Sequence, residues 1–178
     1  MNKLRVKIAG FGGQGVILSS YILGKAASIF DDKNASMTQA YGPEARGGAC
    51  SSQVVISSKE IDYPLVDIAD ILIALSQEGY DKFLSALTDG GMLLYDTDLV
   101  TRLKSHDKII AKSIPSTRIA EELGKKIVAN IVMLGFATSQ AKVASPEAMI
   151  ESIRESVPTR FIEVNLKAFR IGFEYIGN

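Results

Sequence analysis

Three glycines follow the first apolar run of the chain at a fixed spacing. Gly10, Gly12 and Gly15 match G-x-G-x-x-G, directly after residues 4–9 and before an apolar segment of helical period. A strand, a tight turn and a helix in this order leave the first amide hydrogens of the helix unpaired at the positive end of its dipole, which favours a bound anion such as phosphate. We expect Gly10 to permit the turn, Gly12 to let a ligand approach the backbone, and Gly15 to let helix and strand pack closely.

Two neighbours strengthen this interpretation. Gly13 is one glycine more than packing requires, and Gln14 could donate a hydrogen bond to a bound oxygen. The alternative is that a strand–helix unit simply needs small residues where its helix crosses the first strand, and the spacing alone does not decide between the two. The candidate cofactor-binding residues of this turn are Gly10, Gly12, Gly13, Gln14 and Gly15.

A second loop combines an aromatic residue, a rigid turn, an acid, a base and two flexible residues within residues 41–48. Taken singly, Glu44 and Arg46 could be solvated loop charges. The combination is more typical of a loop that docks on something. Arg46 could present its guanidinium to a phosphate or carboxylate, or equally to a protein carboxylate at a subunit interface. The candidate binding residues here are Tyr41, Glu44, Arg46, Gly47 and Gly48.

The composition narrows the function classes. A chain of 178 residues with 47% hydrophobic content predicts one domain over residues 1–178. The 20 basic and 20 acidic residues balance, so no nucleic-acid or membrane partner is expected. The N-terminus lacks a signal-peptide core and the longest apolar run, residues 127–137, is too short to cross a bilayer, which predicts a cytoplasmic protein.

The chain offers few groups for covalent or metal chemistry. Cys50 is its only cysteine and His106 its only histidine, which excludes an internal disulfide or a cysteine-ligated iron–sulfur cluster. We expect Cys50 to be a small buried hydrophobe and His106 to lie in an exposed loop. No base-oriented nucleophile and no magnesium–diphosphate motif is recognisable, so no catalytic residue and no metal ligand is assigned.

The pattern of elements predicts an α/β fold with a mixed sheet. Apolar runs predict strands at residues 4–9, 35–39, 52–57, 71–75, 92–95 and 108–112. The link at residues 40–51 is too short and glycine-rich for a crossover helix, so the second and third strands should be antiparallel. We therefore expect a three-layer α/β/α sandwich, Rossmann-like, with about five to seven strands.

Helices should fill the intervals between these strands. They are expected after the glycine turn as far as Asp31, from a Ser76 cap to a stop at residues 89–91, from a Ser116 or Thr117 cap to residue 123, over residues 128–140, from Ser145 to before Pro158, and over residues 162–176. In the fourth of these we expect Asn130 to be a buried amide satisfied by backbone.

Ligands of open α/β sheets gather at the carboxyl ends of the strands, here the glycine turn, Ser76 with Gln77, and Asp96 with Asp98. A dinucleotide-binding domain would also place an acid at the end of its second strand. The candidate strand ends in Gln39 and Ala40 instead, which counts against NAD.

The two loops together carry a family resemblance. Gly-Phe-Gly-Gly-Gln-Gly at residues 10–15 and Tyr-Gly-Pro-Glu-Ala-Arg-Gly-Gly at residues 41–48, with residues 54–57 and 61–64, resemble the gamma subunit of 2-oxoacid:ferredoxin oxidoreductases. The likeness continues through residues 70–75 and 130–135. The form of the second loop resembles most the 2-oxoglutarate (KorC-like) branch; pyruvate enzymes tend to show Glu-Arg-Arg-Gly-Ala-Pro, and the indolepyruvate branch shares Arg-Gly-Gly.

The resemblance implies a fold like domain III of pyruvate:ferredoxin oxidoreductase and a role in a larger complex. Alpha and beta subunits would hold thiamine diphosphate and Mg²⁺, and a ferredoxin-like delta subunit would hold 4Fe-4S clusters. The complex would convert a 2-oxoacid, here 2-oxoglutarate by resemblance, and coenzyme A to acyl-CoA and carbon dioxide while reducing ferredoxin, in anaerobic metabolism. This chain would be architectural or form an active-site wall, inactive when isolated.

We expect the isolated chain to expose an apolar patch, through which it could form a homodimer. Two alternative functions are a free-standing NAD(P)-type dehydrogenase and a nucleotide-sensing module without an enzyme partner.

Overall fold

The computed structural model describes residues 3–41, 49–63, 67–105 and 107–176. These ranges contain six strands, β1 Leu4–Phe11, β2 Asn34–Tyr41, β3 Ala49–Ser57, β4 Ala69–Ala74, β5 Leu87–Asp96 and β6 Ile110–Ile114. They also contain the helices α1 Val16–Lys25, α2 Gln77–Phe83, α3 Ser116–Glu122, α4 Ala129–Ala141, α5 Pro146–Ser156 and α6 Ile162–Glu174. Short helical turns follow or precede four of them, at Ala26–Phe30, Leu84–Ala86, Lys126–Val128 and Thr159–Phe161.

The strands form one sheet in the order β2-β3-β1-β4-β5-β6. β1, β4, β5 and β6 are parallel, whereas β3 is antiparallel to both β1 and β2. The predicted antiparallel pair and the mixed sheet are confirmed. β1 and β4 lie in the centre, and this places the glycine turn after β1 in the middle of the carboxyl edge of the sheet.

Both faces of the sheet are covered, which gives the three predicted layers. On one face, Ile8, Ile73 and Leu94 pack with apolar residues of α1, α3, α4, α5 and α6 in a single buried cluster. On the other face, Leu72 and Leu93 pack with Tyr80 and Leu84 from the α2 segment. In the described ranges no helix is both long and apolar enough to cross a membrane.

The segment after Ser76 differs from the expectation. Ser76 does cap α2, since its Oγ accepts from the amide of Gly79 at 3.0 Å. The helix does not run to residue 89, however, because Leu87 pairs with Ala69 and begins β5. Residues 89–91 therefore lie inside a strand. Gly90 has φ of 78°, and the β4–β5 pairing shifts register there, so these glycines form an irregularity in β5 rather than a helix stop.

The C-terminal helices agree better with the prediction. Ser145 Oγ accepts from the amide of Ala148 at 3.2 Å and opens α5, and α5 ends before Pro158. Asp31, which ends the helical segment begun by α1, accepts from the Ser145 amide at 2.8 Å. The end of one helix is thereby joined to the start of another. The last helix stops at Glu174, so Ile176 lies beyond it and is exposed.

Two glycines allow α4 and α6 to approach each other closely. A Cβ on Gly135 would overlap the carbonyl oxygen of Phe169, and a Cβ on Gly172 would overlap that of Val132. Backbone atoms cannot move aside as the end of a flexible side chain can. The contact therefore requires glycine at both positions, and it fixes α4 against α6.

We expect Gly172→Ala to lower the free energy of unfolding by at least about 2 kcal/mol, because the added methyl group must separate two packed helices. The matched control is Gly24→Ala in α1, whose Cβ would lie at an ordinary 3.8 Å from Val54 and which should leave stability unchanged or slightly raised. Urea unfolding followed by circular dichroism measures both. Equal stability of the two variants would contradict the close approach.

Candidate functional site at the carboxyl edge of the sheet

The turn between β1 and α1 is stabilised by its own glutamine. Gln14 Oε1 accepts a hydrogen bond from the amide of Phe11 at 2.6 Å, and the Gln14 amide donates to the Phe11 carbonyl at 3.2 Å. The side-chain oxygen of Gln14 therefore stabilises the turn through a hydrogen bond within it. Donation from its amide nitrogen to a bound oxygen stays a prediction.

The structure gives the glycines of this turn roles that differ from the predicted ones. Gly10 lies within β1, where a Cβ would come within 2.6 Å of Gln14 Oε1, so it is needed for packing rather than for the turn. Gly13 and Gly15 have φ of 95° and 73° and make the turn. Gly12 and Gly13 are exposed, and at neither does any atom lie within 4 Å of the place of a Cβ, so their backbone is open to a ligand.

Asn130 joins this turn to a distant part of the chain. It is 3% exposed, and its Nδ2 donates to Ser19 Oγ at 3.2 Å and to the Gly15 carbonyl at 3.4 Å. A Cβ on Gly15 would overlap that nitrogen. The prediction of a buried amide satisfied by backbone is confirmed, with a hydroxyl as second partner. Gly15 allows close packing against α4, where we had expected packing against a strand.

Asp96, at the end of β5, is the acceptor of a fully buried network. Its Oδ2 accepts from Ser116 Oγ at 2.5 Å, from Thr117 Oγ1 at 2.7 Å and from the Thr117 amide at 2.8 Å. Its Oδ1 accepts from the Asp98 amide at 2.8 Å.

The expectation that Ser116 or Thr117 caps α3 is wrong. Pro115 is the N-cap residue, and the carboxylate of Asp96 satisfies the first turn from outside the helix.

A cleft of about 250 Å³ lies between these structures. The carboxyl ends of β1, β4 and β5 supply Gly13, Gln14, Leu75 and Asp96, as the topology predicts. Ser76, Gln77 and Asp98 are engaged elsewhere: Ser76 caps α2, Gln77 accepts from the amides of residues 101 and 102, and Asp98 pairs with Arg118 at 2.6 Å. The remaining lining residues are Leu99, Thr117, Lys126, Ile127, Ala129 and Asn130.

A second cleft, of about 300 Å³, continues from the first towards α6. The two share Gly13, Ile127 and Asn130, and the Ile127 side chain is 80% exposed between them. Lys126 lines the first cleft and Lys125 the second. The two clefts thus have one lysine each beside the shared Gly13, and the Lys126 ammonium also pairs with Glu121 at 3.1 Å. We did not predict Lys125 or Lys126 from the sequence, although adjacent lysines directly before an apolar helix are a usable signal.

The loop at residues 42–48, with Glu44, Arg46, Gly47 and Gly48, lies outside the described residues. Its two ends are fixed nevertheless. Tyr41 is the last residue of β2 and pairs with Cys50, and Ala49 pairs with Phe11 at the end of β1. Both ends of the loop therefore lie at the same edge of the sheet as the glycine turn.

The single cysteine and the single histidine are the other candidates for reactive chemistry that the sequence singled out. Cys50 is a buried free cysteine, as predicted, and burial raises the pKa of its thiol, so it stays protonated at neutral pH. His106 lies outside the described residues. Across the ranges that the structure describes, no three His, Cys, Asp or Glu residues are grouped as metal ligands. With one cysteine in the whole sequence, the chain cannot supply the thiolates of a 4Fe-4S cluster.

The sheet order also separates this site from a dinucleotide site. β3 lies between β1 and β2, so the end of β2 is two strands away from the glycine turn, about 10 Å at the usual strand spacing. That end carries Gln39 and Ala40 rather than a carboxylate. The position that a ribose-binding acid would need is taken by an antiparallel strand.

The fold and the cleft define an open α/β domain with an anion-compatible glycine turn at the carboxyl edge of a mixed sheet. Comparison with known proteins makes this specific. The model of the pyruvate ferredoxin/flavodoxin oxidoreductase family matches residues 5–175. The chain belongs to this family, as a gamma subunit of the 2-oxoacid:ferredoxin oxidoreductases, and so to an oxidoreductase that acts on the oxo group of its donor with an iron–sulfur protein as acceptor.

Individual relatives agree. The chain is 50% identical to the 2-oxoglutarate synthase subunit KorC of Methanocaldococcus jannaschii, over 98% of this chain and 97% of the relative. It is similar to the gamma subunit of a keto/oxoacid ferredoxin oxidoreductase from Geobacter sulfurreducens, with a TM-score of 0.86, 42% identity and 96% of each chain covered. The fold also recurs in 2-oxoglutarate:ferredoxin oxidoreductase from Magnetococcus marinus, a structure with 2-oxoglutarate, coenzyme A and succinyl-CoA bound, at a TM-score of 0.83 and 22% identity over 97% of this chain and 30% of that one.

We expect Asp96→Asn to destabilise the protein by at least about 2 kcal/mol, because an amide group cannot accept the four hydrogen bonds that the buried carboxylate accepts. Asp98→Asn is the matched control, two residues later. Its carboxylate accepts from the guanidinium of Arg118 at 2.6 Å and from the Arg118 amide at 3.2 Å, both exposed to water, so less stability should be lost. Thermal and urea unfolding compare the two. If Asp96→Asn unfolded like Asp98→Asn, the network would not support α3.

Proposed function

We propose that the chain is the gamma subunit of a 2-oxoglutarate:ferredoxin oxidoreductase. The complex would decarboxylate 2-oxoglutarate oxidatively, transfer the succinyl group to coenzyme A, release carbon dioxide and pass the electrons to ferredoxin. Full-length identity of 50% to a subunit of 2-oxoglutarate synthase supports this substrate. The amino-acid sequence of residues 41–48, which resembles the 2-oxoglutarate branch, supports the same substrate.

The residues of this chain support a division of labour within the complex. One cysteine cannot bind a 4Fe-4S cluster, so the clusters would belong to a ferredoxin-like delta subunit. The family resemblance implies that thiamine diphosphate and Mg²⁺ belong to alpha and beta subunits. The isolated chain should be inactive.

The contribution of the chain would be a wall of the active site that receives an anionic part of coenzyme A. The observation that carries this proposal is the cleft beside the glycine turn. There Gly13, exposed like its neighbour Gly12, precedes the N-terminus of α1. Lys126 lines the same cleft, and its exposed ammonium, paired with Glu121 at 3.1 Å, could turn to an anion. Unpaired helix amides and a lysine ammonium are both suited to a phosphate oxygen.

The second loop would complete this wall. Its ends lie at the sheet edge that carries the glycine turn, with Ala49 paired to Phe11, so a loop of seven residues starts and finishes at that edge. Arg46 in this loop would bind a phosphate of coenzyme A bidentately.

The complex itself provides the first test. We expect thiamine-binding and iron–sulfur subunits to copurify with a tagged chain from its native anaerobic extract. The purified complex should show coenzyme A-dependent ferredoxin reduction. In a panel of pyruvate, 2-oxoglutarate, 2-oxoisovalerate and indolepyruvate, 2-oxoglutarate should give the highest kcat/KM. A partnerless chain that binds NADH or another nucleotide would contradict the subunit proposal.

Lys126→Ala in the assembled complex should raise the KM for coenzyme A about fivefold with little change in the KM for 2-oxoglutarate, because one cation facing the phosphates is lost. Arg170→Ala removes an exposed cation from α6 and serves as the matched control. Steady-state ferredoxin reduction at varied coenzyme A measures the effect. An equal rise in both KM values would indicate damage to assembly instead.

Arg46→Ala should raise the same KM, about tenfold, if the second loop contacts coenzyme A. Arg46→Lys should recover only part of the affinity, since an ammonium cannot bind a phosphate in two places. Subunit composition by mass photometry accompanies the kinetics. Unchanged assembly together with an unchanged KM would exclude Arg46 from the site.

A further inference from the structure

The outer edge of β2 lacks the features that usually prevent a sheet from adding another strand. In the described part of the chain β2 ends the sheet, and it is eight residues long. Its sequence, Asn-Ala-Ser-Met-Thr-Gln-Ala-Tyr, contains no charge and no proline. It pairs residue for residue with β3 from Asn34 to Tyr41, with no bulge to twist the edge away. Natural edge strands are commonly short, charged or bulged to avoid such exposure.

The opposite edge of the same sheet shows these safeguards. β6 is five residues long and carries Lys112 at its centre, whose ammonium donates to Gln140 at 2.6 Å. A charged, short strand cannot easily accept a neighbour. The two edges therefore differ: β2 is long and uncharged, whereas β6 is short and carries a lysine.

A groove with an apolar rim runs along the β2 edge. It has a volume of about 330 Å³ between α1 with its extension and β2, and Ala35, Ser36 and Met37 form its strand side. Tyr21 and Ile29 line its helix side and are 51% and 65% exposed. Ser20 also lines it, and its buried hydroxyl has no hydrogen-bond partner among the described residues. Exposed aromatic and aliphatic residues beside a sheet edge to which the described residues add no further strand are typical of an interface.

We propose that β2 pairs antiparallel with β2 of a second copy of this chain, across a twofold axis perpendicular to the sheet. This axis makes one continuous sheet from two copies. It also keeps the two α1 helices on the same face, so that Tyr21 and Ile29 of each copy approach the groove of the other. The interface uses none of the residues of the glycine-turn cleft.

Charge favours a second copy over an extended segment of opposite charge. A strand without charges can lie against itself without placing like charges opposite each other. The cations near the edge are already paired, Lys25 with Glu155 at 2.8 Å and Lys33 with Asp31 at 3.8 Å. The formal net charge of zero means that two copies do not repel each other at neutral pH.

Light scattering coupled to size exclusion tests the proposal on the isolated full-length chain. We expect the unmodified chain to be a dimer at about 100 μM. Thr38→Lys should raise the dissociation constant of the dimer at least about tenfold, because the substitution places two ammonium groups near the axis. Ala111→Lys, in the exposed opposite edge strand β6, is the matched control and should leave the dimer intact. Circular dichroism confirms that both variants are folded.

Oxidative cross-linking gives an independent measurement that does not depend on destabilising the edge. Single cysteines are placed in turn at residues 36, 37 and 38. The one at the twofold axis should form an intermolecular disulfide and its neighbours much less, whereas Ala111→Cys should form none and buried Cys50 should stay unmodified. A monomer at all concentrations would overturn the proposal, as would a dimer that Thr38→Lys leaves unchanged. A monomeric chain whose Thr38→Lys variant fails to join the other subunits would also overturn it and would assign the edge to a partner segment.

Discussion

One buried carboxamide joins the two halves of the chain at the edge where the cleft lies. Asn130 opens α4, and its side-chain amide nitrogen donates to the Gly15 carbonyl, 115 residues earlier, and to Ser19 Oγ, 111 residues earlier. Because Gly15 has no side chain, α4 can approach the turn closely enough for these bonds to form. α4 is in turn fixed against α6 through Gly135 and Gly172. The position of the glycine turn therefore depends on the packing of the whole C-terminal half.

The cleft that results is made of backbone amides, apolar side chains and lysines rather than of catalytic acids and bases. Asp96, the carboxylate at its inner end, is committed to four hydrogen bonds that order α3, and Cys50 is a buried thiol whose pKa is raised. Under the proposed function, such a surface would bind and orient an anionic cosubstrate, while bond breaking would occur on cofactors that other subunits provide.

The sequence predicted most of the strands because their apolar runs are short and bounded by turns. It predicted the β2–β3 pairing because the link at residues 40–51 is too short and too glycine-rich for a crossover helix. It failed where a residue satisfies two patterns at once: Leu87 continues the helical period of α2 but is taken into β5 by pairing with Ala69. It also failed where the partner is distant in sequence. Ser116 and Thr117 have the composition of caps, yet the acceptor of their network is Asp96, about twenty residues earlier. The adjacent lysines before α4 are a local signal, but Lys126 lines the cleft because α4 packs against the glycine turn, and that contact joins segments distant in sequence.

The central claim, that the glycine turn receives coenzyme A, is tested most directly by amide hydrogen exchange in the assembled complex with and without the cosubstrate. The account predicts slower exchange for the amides of residues 12–16 when coenzyme A is added, with no comparable change on the opposite edge at β6. Unchanged exchange at residues 12–16 in a complex that still turns over coenzyme A would contradict the claim. The gamma subunit would then act through assembly alone.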